Sequence, residues 1–180
     1  ERIRRAWLSR TLPTTTDEAV ASLLQSRRFV ILEGPPGTGK TEMARRLLKR
    51  AYSEFGRIIQ FHPGTTYESL IGGLAPEPGG SMGFTFRPTP GHLMQAAVEA
   101  AQDPARPYLL VIDEINRADL AKVLGEAVYL FEPSQPDRQV RLQYDFPGLG
   151  NTLRLPANLH VIGTMNTADR SIAILDIAIR

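Results

Sequence analysis

The stretch GPPGTGKT, residues 34–41, constrains the fold of this chain more than any other part of it. It follows the apolar run 29–32, which predicts a buried strand, and it leads into the helical pattern 41–52. Glycines between a strand and a helix let the backbone curl until its N–H groups face inward, beside the positive end of the helix. The spacing G-x-x-x-x-G-K-[ST] in this setting predicts a loop that binds the phosphates of a nucleoside triphosphate.

The positions of the loop have different expected tasks. Gly34, Gly37 and Gly39 allow the backbone to curl. Lys40 is expected to reach the β- and γ-phosphates, and the Thr41 hydroxyl is expected to bind Mg²⁺. Glycine–proline clusters also form plain turns, but a lysine and a helix in register favour the phosphate loop.

The rest of the chain alternates short apolar runs with helical patterns. Buried strands are predicted at 29–32, 57–61, 108–112 and 159–163, and helices at 17–25, 41–52, 91–101, 119–130 and 171–179. None of the apolar runs alternates cleanly, as is typical of parallel strands covered on both faces. The pattern predicts an α/β fold with a parallel sheet.

Two segments interrupt this alternation. Residues 72–92 are rich in glycine and proline with alternating Met82, Phe84 and Phe86, and residues 138–155 alternate around the turn PGLGN at 147–151. Both predict inserted β-hairpins. They are candidate surfaces for contact with a partner.

Composition excludes several classes of protein. A chain of 180 residues with 42% hydrophobic residues is expected to fold as one domain, and without cysteine it has neither a disulfide framework nor a thiolate metal site. The net charge of +2 does not favour nucleic-acid binding, and the bases of 41–52 are expected to form a solvated helix face. No run approaches the ~20 apolar residues of a membrane span, so we expect no membrane partner and a cytoplasmic location.

Two adjacent acids end the apolar run LLVI, residues 109–112. Alternation along a strand puts the side chains of Asp113 and Glu114 on opposite sides, so that the two carboxylates can take different tasks. Asp113 is expected to support Mg²⁺ together with Thr41, and Glu114 to orient and polarise the attacking water. Acids at the carboxyl edge of the sheet that also carries a phosphate loop predict a hydrolytic site.

A third group follows the predicted strand 159–163, in the sequence MNTADRS at 165–171. Asn166 is expected at the carboxyl edge of that strand, where its amide could bind the γ-phosphate or the attacking water. Thr167 or Asp169 is also a candidate N-cap for the helix predicted at 171–179, and capping by Asp169 is compatible with this task for Asn166. Arg170 is either solvent-facing or directed at a phosphate or a neighbouring subunit.

These observations define two sets of candidate residues. The predicted catalytic residues are Lys40, Glu114 and Asn166. The predicted nucleotide-binding residues are Gly34, Pro35, Pro36, Gly37, Thr38, Gly39, Lys40, Thr41 and Asp113, of which Thr41 and Asp113 are the expected Mg²⁺ ligands.

The motifs GPPGTGKT, VIDEINRAD and GTMNTADRS together resemble the AAA+ superfamily, and within it the McrB-like branch. The DEINRA phrase at 113–118, the intact MNTADRS and the tract FHP…Y…GG between 61 and 73 carry the resemblance, which covers roughly residues 28–180. It implies a three-layer sandwich with sheet order 5-1-4-3-2 and a ring, usually a hexamer, with nucleotide between subunits. The two predicted hairpins resemble the helix-2 insertion and the pre-sensor hairpin of such relatives, which often face the ring pore.

The same resemblance sets expectations for the two ends of the chain. Residues 1–27 are expected to form an N-terminal helical extension and 28–180 the AAA+ core. Relatives continue beyond a tract like LDIAIR, residues 175–180, so strand 5 and the helical lid are expected to be missing from this chain. Asp169, Arg170 and Arg180 are candidates for sensing or for contact with a neighbouring subunit.

The resemblance implies a Mg²⁺-dependent nucleoside triphosphatase, with ATP or GTP as substrate. As an McrB-like motor it would couple turnover to an McrC-like nuclease and act on DNA indirectly. Two alternatives stay open at this point: a MoxR-type ATPase that remodels proteins, and a nucleotide-gated scaffold without activity. A phosphate loop does not distinguish the base of the nucleotide.

Overall fold

The computed structural model describes residues 15–80, 83–132, 135 and 137–167. Two short 3-10 helices, Ile115–Arg117 and Gly125–Phe131, accompany the regular elements. The helices and strands are, in chain order, α1 (Asp17–Arg27), β1 (Phe29–Gly34), α2 (Lys40–Arg50), β2 (Gly56–Gln60), α3 (Tyr67–Leu70), β3 (Gly72–Pro78), β4 (Phe84–Pro90), α4 (His92–Gln102), β5 (Tyr108–Asp113), α5 (Leu120–Leu124), β6 (Gln139–Phe146), β7 (Gly150–Arg154) and β8 (Leu159–Asn166).

Four parallel strands form the central sheet, in the order β1-β8-β5-β2. Numbering only these four strands along the chain gives the order 1-4-3-2, as the family resemblance implies. Strand 5 is expected to be missing from this chain, and its place in the implied order 5-1-4-3-2 stays a prediction. Gly34 pairs with Asn166, and Gln60 with Asp113, so the strands reach the carboxyl edge of the sheet in close register.

The sheet is covered on both faces, which explains the uninterrupted apolar runs. Along β5, Leu109 and Val111 pack against α1 and α2, while Leu110 and Ile112 join the larger core on the opposite face. All six residues of β5 are buried. The expected three-layer α/β sandwich is therefore confirmed.

Both predicted hairpins are present. β3 pairs antiparallel with β4, and β6 with β7, each as a separate two-stranded sheet. Phe146 at the end of β6 is buried, whereas Phe84 and Phe86 on β4 are 50% and 60% exposed.

The continuous helix predicted at 119–130 is wrong. α5 ends at Leu124, and the chain continues as the 3-10 helix that starts at Gly125. Gly125 has φ +50° and ψ −131°, which interrupts α-helical hydrogen bonding and which glycine adopts without the penalty of a Cβ. The helix predicted at 171–179 lies outside the described residues.

At the N-terminal side, α1 begins after Thr16, whose hydroxyl accepts a hydrogen bond from Ala19 N at 3.2 Å. Val20 and Leu24 are buried in the core that α1 shares with α2. Arg46 and Asp17 join the two helices through two hydrogen bonds of 2.8 Å. The division of the chain at residue 27 stays a prediction. Among the described residues, no helix is long and apolar enough to cross a membrane.

Candidate nucleotide-binding site

The predicted phosphate loop connects β1 to α2 at the carboxyl edge of the sheet. Gly37 and Gly39 have φ values of 79° and 84°, in the left-handed region that favours glycine. Gly39 caps α2 without any side-chain hydrogen bond, so no side chain covers the first N–H groups of this 11-residue helix. A curled glycine loop that leads into an uncapped helix N-terminus is suited to bind an anion.

Lys40 lies between the loop and the end of β8. Its Nζ donates to the carbonyl oxygens of Gly34 and Pro35 at 2.9 and 2.8 Å, and to Oδ1 of Asn166 at 2.9 Å. The ammonium group is thus held over the loop by acceptors on both sides. The predicted loop lysine and the predicted asparagine are in direct contact.

Asp113 is buried at the end of β5, where two hydroxyl groups donate to its Oδ1. Thr41 Oγ1 donates at 2.7 Å, and Thr164 Oγ1 also donates to this oxygen. Thr164 in turn accepts a hydrogen bond from the backbone N–H of Glu114 at 3.1 Å. Thr164 was not among the predicted residues, although its position two residues before Asn166 on the same strand could have suggested it.

The contact between Thr41 and Asp113 allows a test of the expected metal site. A hydroxyl and a carboxylate oxygen are ligands that Mg²⁺ prefers, and Mg²⁺ usually takes only one or two protein ligands beside phosphates and water. In the parts of the chain described by the structure, no group of three or more His, Cys, Asp or Glu could hold a metal by itself. The residues present therefore fit a Mg²⁺ ion that arrives with a nucleotide.

Glu114 leaves the strand in a left-handed conformation, with φ 56° and ψ 48°. This conformation is uncommon for a residue other than glycine, and such strain is often found at functional sites. Both carboxylate oxygens accept from Asn166 Nδ2, at 2.7 and 2.8 Å, and Arg117 Nε lies 3.6 Å from Oε2. Asp113 and Glu114 have different partners, and the cause is the turn of the backbone at Glu114 rather than the strand alternation on which the prediction rested. Their separate tasks stay a prediction.

Asn166 is the point at which the predicted groups meet. It is the last residue of β8 and contacts Lys40 through its side-chain oxygen and Glu114 through its nitrogen. Asn116 Nδ2 donates to its main-chain oxygen at 3.3 Å, and the N–H of Thr167 donates to Gly34 O at 3.1 Å. Asn116 and Arg117 belong to the DEINRA motif, and the sequence predicted no task for either of them. The candidates Asp169, Arg170 and Arg180 lie outside the described residues.

The comparison with known families agrees with this arrangement. The AAA domain family, dynein-related subfamily, matches residues 29–180, and the chain belongs to it. The chain is 38% identical over 175 residues to the type IV methyl-directed restriction enzyme EcoKMcrB subunit of Escherichia coli strain K12, across 94% of this chain and 37% of that protein. This confirms the McrB-like branch of the AAA+ NTPases.

Two further relatives extend the comparison. The type II restriction enzyme BsuMI component YdiS of Bacillus subtilis strain 168 is 28% identical over 190 residues, across 83% of this chain and 54% of that protein. CD-NTase-associated protein 6 of Pseudomonas aeruginosa is 30% identical over 135 residues, across 71% of this chain and 40% of that protein. This chain thus spans between 37% and 54% of the length of these three relatives.

Proposed function

We propose that this chain binds a nucleoside triphosphate with Mg²⁺ and hydrolyses its terminal phosphate. The observation that carries the proposal is the connected set of hydrogen bonds at one sheet edge. Lys40 contacts Asn166 at 2.9 Å, Asn166 contacts Glu114 at 2.7 Å, and Thr41 contacts Asp113 at 2.7 Å. Residues from the loop and from the ends of two strands thus converge where a triphosphate in the loop would extend.

Binding depends on the loop and its lysine. The backbone N–H groups at the start of α2 and the ammonium of Lys40 supply donors and positive charge to the phosphates. Thr41 and Asp113 would hold Mg²⁺, which neutralises charge on the phosphates when it is bound. The donors of Lys40 would exchange the carbonyls of Gly34 and Pro35 for phosphate oxygens.

Hydrolysis depends on Glu114 and Asn166. The Glu114 carboxylate would orient a water molecule and accept its proton as the water attacks the γ-phosphate. Its side chain is only 17% exposed, so bulk water competes little for these oxygens. The amide of Asn166 would fix the direction of the carboxylate or contact the γ-phosphate itself.

For the whole protein we propose an AAA+ ring motor of McrB type, usually hexameric, that drives an McrC-like nuclease and so acts on DNA indirectly. Membership of the McrB-like branch and two relatives described as parts of restriction enzymes support this. The exposed hairpin β3–β4 offers a surface for a partner within such an assembly. Both ATP and GTP are candidate substrates.

The test measures binding of ATP and GTP, with and without Mg²⁺, and the release of inorganic phosphate. The parent should bind at least one of the two in a Mg²⁺-dependent manner and release phosphate from it. Lys40→Ala should lose tight binding because the loop loses its cation. Lys49→Ala removes an exposed lysine from the last turn of the same helix and should bind like the parent. Affinity of Lys40→Ala within a few-fold of Lys49→Ala would contradict the phosphate-loop assignment.

A further inference from the structure

Asn116 is a buried polar residue in the turn that follows β5. It is 9% exposed and lies in the 3-10 helix Ile115–Arg117. Its Nδ2 donates to the main-chain oxygen of Asn166 at 3.3 Å, while its Oδ1 has no partner among the described residues. A buried amide with one end unpaired costs free energy, and an apolar side chain of similar size would avoid that cost.

The Asn116 amide lies beside Glu114 and Asn166, the two residues proposed to act in hydrolysis. Glu114 is the N-cap of the same 3-10 helix, and its carboxylate accepts both contacts from Asn166 Nδ2. One short turn therefore holds Asn166 twice, at the side chain through Glu114 and at the main chain through Asn116. Lys40 contacts the remaining side-chain atom, Oδ1, at 2.9 Å.

We propose that Asn116 is a positioning residue for hydrolysis, which fixes the backbone of Asn166 so that its amide stays directed at the Glu114 carboxylate. The inference rests on the proposed function. The register of β8 against β5 ends at Gly163, so at Asn166, the last residue of β8, the sheet restrains the chain on the side of β1, through Gly34, and not on the side of β5. The hydrogen bond from Asn116 restrains that end. Misplacement of a catalytic group by about 1 Å can cost ~10²-fold in rate, so such a restraint is large enough to matter.

The test is a double-mutant cycle on the turnover number, with nucleotide affinity measured in parallel. Asn116→Ala should lower kcat by ~10- to 100-fold and leave nucleotide affinity within about 2-fold, because the phosphate loop is untouched. Asn166→Ala should lower kcat at least as much. If Asn116 acts through Asn166, the double variant should be no slower than Asn166→Ala alone. Independent, multiplicative losses in the double variant, or an unchanged kcat in Asn116→Ala, would overturn the proposal.

Asn158 provides the matched control. Its Nδ2 donates to the carbonyl oxygens of Ala100, Asp103 and Arg106 at 2.8, 3.0 and 2.8 Å, before the start of β8 and away from the site. Asn158→Ala should lower stability with kcat unchanged. A loss of kcat in Asn158→Ala equal to that in Asn116→Ala would show that both act through general stability, and would overturn a positioning role.

A second variant and a second measurement cover two other outcomes. If Asn116→Ala does not fold, Asn116→Asp keeps the shape but places an oxygen opposite the Asn166 carbonyl, and the same loss of kcat is expected.

If the folded parent releases no phosphate, the proposed function fails. Hydrogen exchange of the Asn166 side-chain amide, followed by ¹⁵N NMR, then decides the positioning role. Faster exchange in Asn116→Asp than in parent and Asn158→Ala supports it, and equal rates overturn it.

Discussion

The side-chain nitrogen of Asn166 lies 2.7 and 2.8 Å from the two carboxylate oxygens of Glu114. The two residues are 52 positions apart and stand at the ends of neighbouring strands. A single amide that contacts both oxygens restrains the rotation of the carboxylate. The strained backbone of Glu114, at φ 56°, is thus paired with a restrained side chain, a combination that suits an oriented hydrolytic base.

Glu114→Gln should bind Mg²⁺-nucleotide nearly as well as the parent and hydrolyse it at least ~100-fold more slowly, because the charge that accepts the proton is lost while the shape is kept. The measurement is single-turnover phosphate release at saturating nucleotide. Glu126→Gln is the control, since Glu126 is engaged elsewhere, by the hydroxyl of Tyr67 at 2.8 Å. A rate for Glu114→Gln close to that of Glu126→Gln would remove Glu114 from the reaction.

Asp113→Asn should change the metal dependence instead. Asp113 Oδ1 accepts from both Thr41 and Thr164, and the neutral amide loses the negative charge that attracts Mg²⁺. We expect the Mg²⁺ concentration for half-maximal nucleotide binding to rise by ~10- to 100-fold. Titration of Mg²⁺ at a fixed nucleotide concentration measures this half-maximal concentration. The same Mg²⁺ shift in Glu114→Gln would show that the two acids do not have separate tasks.

The stability of the fold should depend on pH through His160. This residue is buried, and its Nδ1 lies 2.6 Å from the Tyr52 hydroxyl. A neutral imidazole can accept a hydrogen bond from that hydroxyl. Burial first, and the charge of Arg28 second, lower the pKa of His160 from 6.5 to about 4. Between these values the unfolded chain binds a proton that the folded chain does not, so the free energy of unfolding rises with pH. The contribution of neutral His160 to the free energy of unfolding is complete above about pH 6.5 and is lost as the pH falls towards 4.

The size of this contribution is up to about 3 kcal/mol, from ~1.4 kcal/mol for each unit of pKa. Urea unfolding at a series of pH values measures it. His160→Gln should be less stable than the parent above pH 7, and its stability should change less between pH 4.5 and 6.5. Equal slopes for the two proteins in that range would show that His160 is protonated in the folded state as easily as in the unfolded chain.

The exposed aromatic residues of β4 should matter little for stability. Phe84 and Phe86 contact each other with ring centroids 5.7 Å apart, but are 50% and 60% exposed. Replacing each by Ser should cost less than about 1 kcal/mol in the free energy of unfolding. Phe146→Ala, at a position 1% exposed, should cost about 3–5 kcal/mol. Comparable losses in urea unfolding would show that β4 packs against the core.

The helix break at Gly125 illustrates where sequence-based prediction failed. The apolar spacing of 119–130 is compatible with one helix, and glycine within a helical pattern costs only about 1 kcal/mol against alanine. In the structure, an added Cβ on Gly125 would lie 3.1 Å from the ring of Tyr67 on α3. A side chain at position 125 would therefore be crowded by a neighbour 58 residues earlier in the chain, and no local pattern reveals that contact.

The candidate site likewise contains residues that the sequence predicted and residues that only the structure revealed. Residue type and position after a strand predicted five residues of the candidate site, because parallel strands end at one edge of the sheet. These are Lys40, Thr41, Asp113, Glu114 and Asn166. Thr164, Asn116 and Arg117 were not assigned a task. Their contacts depend on the register of β8 against β5 and on the turn at Glu114.

The sequence by itself determined the parallel α/β sheet, its two inserted hairpins and the position of the glycine-rich loop between β1 and α2. These features follow from apolar runs, glycine spacing and chain connectivity, which are local properties of the chain. Only the tertiary structure decided that Asn166 contacts both Lys40 and Glu114, and that Asn116 donates to the main-chain oxygen of Asn166. Hydrogen bonds of this kind require donor and acceptor to meet within a few tenths of an ångström. That precision comes from the packing of the strands and turns together, not from any one segment.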